Sequence, residues 1–320
     1  MIEPNPEFIV YAHQLFLKCI EIHECLYKPL TLDEFSHKLI SSNPSFDIKN
    51  YFDVAHVTLK GFISGIILKD QQKAYITLLM VDPRNRHLGV GSKLLSEFEN
   101  DVKRNYPNIK TIDIVFYNPI HLEWIVPHTN NHDHPNTPGV DLDSISYSFF
   151  RSRGYKTFAK QNSYYRNIKD YELSPEVELL IHELKTKDIE ITFYDPNFHE
   201  GFKALCESLN NPLWHVAITN GISRNEPVLI AAKNKEIIGF TGPLFIQSSK
   251  RGYFAGIGVH QDYRGYGIGK ALFASLCLNL SKMGGEFMTL FTGETNPARH
   301  IYEKEDFKIV KSWADMRKEI

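Results

Sequence analysis

No apolar run in this chain approaches the roughly 20 residues that a membrane-spanning helix needs. The first residues lack a basic start followed by an apolar core, so they do not read as a signal peptide. The four cysteines, Cys19, Cys25, Cys206 and Cys277, are scattered and form no C-x-x-C pair. That argues against a disulfide framework and fits reduced core thiols in a cytoplasmic protein. Charge of one sign is also missing. The formal net charge is −2 and no block of like charges occurs, which argues against a nucleic-acid or membrane-surface partner.

What the chain does have is a glycine-rich turn written twice: Arg86-His87-Leu88-Gly89-Val90-Gly91 and Arg264-Gly265-Tyr266-Gly267-Ile268-Gly269. Each follows a short apolar run ending in valine (Leu78 to Val81; Ile257 to Val259), and each opens a helical pattern. In the first, Val90, Leu94, Leu95, Phe98 and Val102 share one face. A length of 320 residues suits two domains of ordinary size. The repeat places them at about 1–170 and 171–320, joined by a linker helix over about 174–186 with Ser174 as N-cap and Pro175 in its first turn. Helices are predicted over the first residues and from Leu32 to Ile40, the latter capped by Thr31. In the first half, strands are predicted at Asp53 to Leu59, Phe62 to Leu68, Ala74 to Val81 and Thr111 to Tyr117. In the second, they are predicted at Ile189 to Tyr194, Val228 to Lys233, Glu236 to Thr241, Gly252 to Val259, Phe287 to Thr292 and Phe307 to Met316. Helices are predicted at Phe198 to Leu209 and Pro297 to Lys304. Short polar connections such as Lys69-Asp70-Gln71-Gln72 imply antiparallel hairpins. The class is α/β (α+β), each domain a mixed, mostly antiparallel sheet flanked by helices.

The first amides of a helix have no internal partner and carry partial positive charge. Glycine removes the Cβ atoms that would keep phosphate oxygens away. The duplicated turn therefore suits a pyrophosphate. A Walker loop needs four residues between its first glycine and Gly-Lys-Ser/Thr, whereas Gly265 to Lys270 has three, and Ala271 stands where the hydroxyl belongs. The dinucleotide fingerprint G-x-G-x-x-G occurs in neither copy.

Val259 to Leu272, with Arg264, Gly265, Gly267, Gly269 and Lys270, resembles the acetyl-CoA-binding segment of the GNAT family of N-acetyltransferases. Asn296-Pro297-Ala298-Arg299-His300-Ile301-Tyr302 resembles that family's second signature. The first turn matches as well, so the chain is similar to tandem acetyltransferases, the arrangement of mycothiol synthases. The resemblance implies a splayed V between two strands, in which backbone near Ile257 and Val259, and near Leu79 and Val81, pairs with the pantetheine arm. It implies that the pyrophosphate lies on the turn at Arg264 to Lys270, and in the first copy at Arg86, Gly89, Gly91 and Ser92. Asn296 is a further cofactor contact on this resemblance, or simply a helix cap. The cosubstrate implied is acetyl-CoA, the acceptor a small-molecule amine, and the reaction direct attack of the neutral amine on the thioester. Tyr302 is then the general acid that protonates the departing thiolate. Glu294, His260 and His215 remain open as bases, and water alone can serve.

In the first half Phe150 stands where Tyr302 stands in the second, and a phenyl ring donates no proton. The first domain is therefore expected to be degenerate and the second catalytic. Tyr147 is a weak substitute. The His-rich stretch 127–139 is an insertion, read as a loop that shapes a site; no metal is expected. Asp306 replaces the family's usual glycine but tolerates the left-handed conformation. The alternative to an enzyme is a non-catalytic, CoA-binding regulatory protein. A third reading, aminoacyl transfer, leaves the pyrophosphate turn without a use. The expected state is a monomer or homodimer.

Overall fold

The computed structural model describes residues 6–56, 58–134 and 136–320. It divides into two compact units, Met1–Asn162 with Lys311–Ile320, and Ser163–Val310. This differs from two consecutive halves, because the chain's last ten residues return to the first unit. Trp313 to Met316 in that final strand are all buried, and such a run reads as a strand without naming the sheet it joins.

In the first unit α1 (Pro6–Glu21) and α2 (Leu32–Leu39) precede a meander of β1 (Asp47–Ala55), β2 (Thr58–Leu68) and β3 (Lys73–Val81). Thr31 and Glu34 form a reciprocal capping box at the start of α2. β1 begins earlier than predicted, at Asp47, and the β1–β2 turn comes at His56, which takes a φ of 56°. After β3 come α3 (Val90–Asn105) and β4 (Thr111–Ile114). Short pairs β5 (Trp124–Ile125) and β6 (Asp133–His134), with β7 (Val140–Asp141), precede α4 (Ile145–Arg151) and β8 (Lys156–Asn167). β1, β2 and β3 pair antiparallel. β3 meets β4 in parallel only at Ala74 with Ile112 and Tyr75 with Asp113. The far side of β4 pairs with the last strand, β16 (Lys308–Glu319), at Thr111–Ile114. α3 buries Leu94, Leu95 and Phe98 with Ile63, Ile67 and Ile76 on one face. α1 and α2 bury Phe16 and Phe35 with Phe62, Ile66 and Met80 on the other.

The pairing of β2 with β3 shifts so that Ser64 faces Leu78 and Gly65 faces Ile76, leaving Thr77 as an extra residue. Such a bulge re-aims the strand. Ala74 and Ile76 face α3, whereas Leu78 and Met80 face α1. Beyond the bulge β3 and β4 part, and the gap is a V.

The second unit repeats the plan. α5 (Pro175–Lys185), capped by Ser174, leads to β9 (Ile189–Phe193), α6 (Phe202–Ser208) and α7 (Pro212–Ser223). β10 (Leu229–Lys233) and β11 (Glu236–Gly242) follow, then β12 (Phe245–Ile246), β13 (Gly252–Tyr253), β14 (Gly256–Val259), α8 (Ile268–Lys282), β15 (Phe287–Gly293) and α9 (Arg299–Lys304). The strand order is β14-β11-β10-β9, all antiparallel. The strand predicted at Gly252 to Val259 is broken at Phe254 and Ala255. β15 lies outside this sheet. A parallel bridge from Arg251 to Phe287 is the counterpart of the β3–β4 contact. β14 therefore leaves the crotch of a second V, with no strand paired to its other edge among the described residues. α8 packs on one side of the sheet and α6 with α7 on the other.

Candidate active sites

Both turns are built alike. β3 ends at Val81, and Asp82 caps a short 3-10 turn, Pro83–Asn85, by accepting from the Arg84 amide at 2.9 Å. β14 ends at Val259, and His260 caps the corresponding turn, Gln261–Tyr263, through Nδ1 to the Asp262 amide at 3.4 Å. The arginine that opens each motif folds back: Arg86 Nε donates to the Val81 carbonyl, and Arg264 Nε to that of Val259, each at 3.2 Å. Each arginine thus braces strand end against turn. The Arg86 guanidinium is further paired with Glu24. Gly89 and Gly267 are the helix N-caps, at φ 84° and 81°, a conformation that glycine adopts without penalty. Gly91 and Ser92, and Gly269 and Lys270, lie in the first turns of α3 and α8.

The surroundings of the two turns differ. A Cβ on Gly89 would meet nothing within 4 Å, whereas one on Gly267 would lie 2.8 Å from Leu180 Cδ1. α5 packs over the second turn. Its Glu176 pairs with Lys270 at 2.7 Å, and Lys187 beyond it lies 5.7 Å from the Tyr266 ring centroid. In the first unit Arg153 Nε donates to Ser92 Oγ at 3.2 Å, with its guanidinium carbon 3.8 Å from the Phe149 ring centroid. That puts a cation beside the N-terminus of α3.

A cleft of about 1230 Å³ opens in the first unit. Leu79, Val81, Arg86, Gly89, Gly91 and Ser92 all line it, so the structure gathers every predicted first-copy residue around one cavity. Phe150 and Phe149 line the α4 side. Tyr27, Cys25, Trp313 and Lys311 line it too, and sequence reasoning missed all four. They come from the chain after α1 and from β16, far from the motif in sequence. Lys311 is ion-paired to Asp141 at 2.8 Å. In the second unit a cavity of about 270 Å³ lies beside Lys270, lined by Arg166, Glu176 and Glu305 among others. That cavity does not touch Ile257, Val259, Gly267 or Tyr302.

Tyr302 sits on α9 at 7% exposure, its ring centroid 4.9 Å from that of Phe273 and 6.3 Å from that of Tyr164. Its hydroxyl has no hydrogen-bond partner among the described residues, yet it is not sealed from solvent. Burial pushes its pKa up to about 12, so it stays protonated and able to donate. Ile257 and Val259 pair with β11 on one edge, and among the described residues no strand pairs with the other. Asn296 Oδ1 accepts from the Ala298 amide at 3.0 Å, a local turn contact. Of the candidate bases, His260 is held as a cap, Glu294 is exposed, and His215 is half-buried on α7. In the 127–139 stretch His134 stacks on Trp124 at 5.4 Å. Among the described residues no three His, Cys, Asp or Glu side chains converge as a metal site would require. No helix among them is long and apolar enough to cross a membrane.

Residues 224–309 match the family model described as Acetyltransferase (GNAT) domain. No curated protein matches the chain. Among solved structures, a glucosamine N-acetyltransferase region of a fungal multi-domain GH3 β-N-acetylglucosaminidase is similar over 97% of this chain, at 15% identity and TM-score 0.61. This chain spans only 36% of that protein. A GCN5-related N-acetyltransferase from Sphaerobacter thermophilus is similar over 99% of this chain and 94% of its own, at 15% identity and TM-score 0.58. A tandem GNAT protein from the clavulanic acid biosynthesis pathway is similar over 100% and 97%, at 11% identity and TM-score 0.54. The chain shares the fold of these tandem GNAT structures, and within its second unit residues 224–309 match the GNAT domain model.

Proposed function

We propose that the protein transfers the acetyl group of acetyl-CoA to a primary amine of a small molecule, in the second unit, by direct attack of the amine on the thioester. The observation that carries this is the second V with the left-handed glycine turn at its end and Tyr302, protonated and with a free hydroxyl, on the helix that follows β15. The unpaired edge at Ile257 and Val259 would hold the pantetheine amides. The amides from Gly265 to Lys270 would hold the pyrophosphate. Arg264 contributes by bracing the turn. Acetyl-CoA supplies the activated acyl group, and Tyr302 supplies the proton that the thiolate takes.

A second reading has its own support. α5 packs on the turn through Leu180 and Glu176, as expected of a unit that binds CoA weakly or only senses it. Thiol release from acetyl-CoA over a panel of amines separates the two. Turnover of at least one amine, falling roughly 100- to 10,000-fold in Tyr302→Phe with acetyl-CoA affinity kept, is the expected result. Binding without turnover on any amine would favour the regulatory reading.

A further inference from the structure

The first unit has Phe150 where the second has Tyr302, and the tyrosine that α4 does carry, Tyr147, is hydrogen-bonded to Thr157 Oγ1 at 3.2 Å, but the cleft wall contains another. Tyr27 lies just past the end of α1, on the wall of the cleft that also holds Phe150. The chain fixes it from both sides: Lys28 N–H donates to the Glu123 carbonyl at 2.8 Å, and the Leu26 carbonyl accepts from Ile125 at 2.7 Å. The Tyr27 ring packs 5.9 Å from that of Phe16. Its hydroxyl has no hydrogen-bond partner among the described residues and is not sealed in, which matches Tyr302. Burial raises its pKa well above the ordinary phenol range, so it too stays protonated. The neighbouring thiols Cys19 and Cys25 are pushed up to about 11 and about 12, chiefly by burial, and do not compete as thiolates. Ligand pockets run from roughly 300 to 1,000 Å³, and this cleft, at about 1230 Å³, is large enough to admit one.

We propose that the first unit is a second acyl-transfer centre, in which Tyr27, on the segment after α1, serves as the general acid in place of Phe150. This rests on the acyl-CoA and amine chemistry proposed above. A neutral amine forms the N–C bond to the acyl carbon, and the C–S bond breaks. The thiolate sulfur takes the phenolic proton of Tyr27. The extra proton on nitrogen leaves to solvent, and the phenolate takes one proton back from solvent. The products are the amide and the free thiol, with no further reactant.

The test is thiol release from acetyl-CoA by the full chain as wild type, Tyr27→Phe, Tyr302→Phe and the double variant, over one amine panel. Calorimetric titration with acetyl-CoA and urea midpoints are measured in parallel. Tyr302→Phe is expected to keep release above the uncatalysed rate on at least one amine. Adding Tyr27→Phe should lower that residue by roughly 100-fold or more, with acetyl-CoA affinity and the urea midpoint unchanged, since the ring and its contact with Phe16 remain. Residual release that survives Tyr27→Phe, or complete loss in Tyr302→Phe alone, overturns the proposal and leaves the second-unit reading standing. Wild-type protein that binds acetyl-CoA but releases no thiol with any amine overturns both.

Discussion

The matched pair Gly89→Ala and Gly267→Ala separates what the turn demands from what covers it. Both glycines have φ above 80°, where an L-residue loses roughly 1–2 kcal/mol. At Gly89 that is the whole cost, because the new methyl meets nothing within 4 Å. At Gly267 the methyl would lie 2.8 and 3.0 Å from the two Leu180 methyls. Overpacking of this kind adds roughly 1–3 kcal/mol, for a total of about 2–5 kcal/mol. Hydrogen exchange of the α3 and α8 amides reads the two units apart, and urea unfolding gives the overall shift. Trimming Leu180 to alanine in the Gly267→Ala background should recover the overpacking share. The double variant would then be less destabilised than the two single changes summed, by roughly 1–3 kcal/mol. Strict additivity, or equal losses for Gly89→Ala and Gly267→Ala, would refute the claim that α5 packs on the second turn.

Two further predictions concern charge and local conformation. Asp82 is 5% exposed, and its hydrogen bonds from Arg84, with further help from Lys18, hold its carboxyl well below the usual range. A carboxylate with a depressed folded pKa stabilises above its unfolded value of roughly 4 and loses that contribution as pH falls toward the folded value. Asp82→Ala should therefore cost about 1–3 kcal/mol near neutral pH, with the gap to wild type narrowing below about pH 4 in urea titrations. A gap that does not change with pH would count against this. Asp306 closes α9 at φ 57° with its side chain exposed. Asp306→Gly should be neutral or stabilising by up to about 1 kcal/mol, and a measured loss would show that the Asp306–Lys308 pair at 3.4 Å matters more than the backbone.

The turns were legible because a left-handed helix cap is a local requirement, and glycine at Gly89 and Gly267 states it directly. The Thr31 and Ser174 caps were legible for the same reason, since each bonds an amide three residues on. α7 was not. Its sequence is apolar on most sides and includes Gly221, so no single face stands out. The exposed Leu213 and Val216 beside the half-buried Trp214 show how little that pattern sorts inside from outside. The early start of β1 was hidden because every residue of that strand is only half-buried. The roles of the arginines were hidden in another way. The motif marks Arg86 and Arg264 as important, but only coordinates reveal that each Nε bonds the carbonyl five residues back.

The two copies also show why a motif and a cavity need not coincide. The sequence signature is strongest in the second unit, where Asn296 to Tyr302 survives. Yet that unit's turn lies under α5, and Lys270, in the first turn of α8, is paired with Glu176. In the first unit Phe150 stands where the second has Tyr302, but the turn is open and Arg153 stands beside α3. The residues that complete that cleft, Tyr27 and Trp313, come from opposite ends of the chain. Trp313 belongs to a strand that the chain's course returns to the first unit only after the second is finished. A search limited to the neighbourhood of the glycine turn would find neither residue. Phenylalanine at position 150 is therefore a local observation, and whether the cleft holds a phenol depends on its whole wall, of which Tyr27 is part.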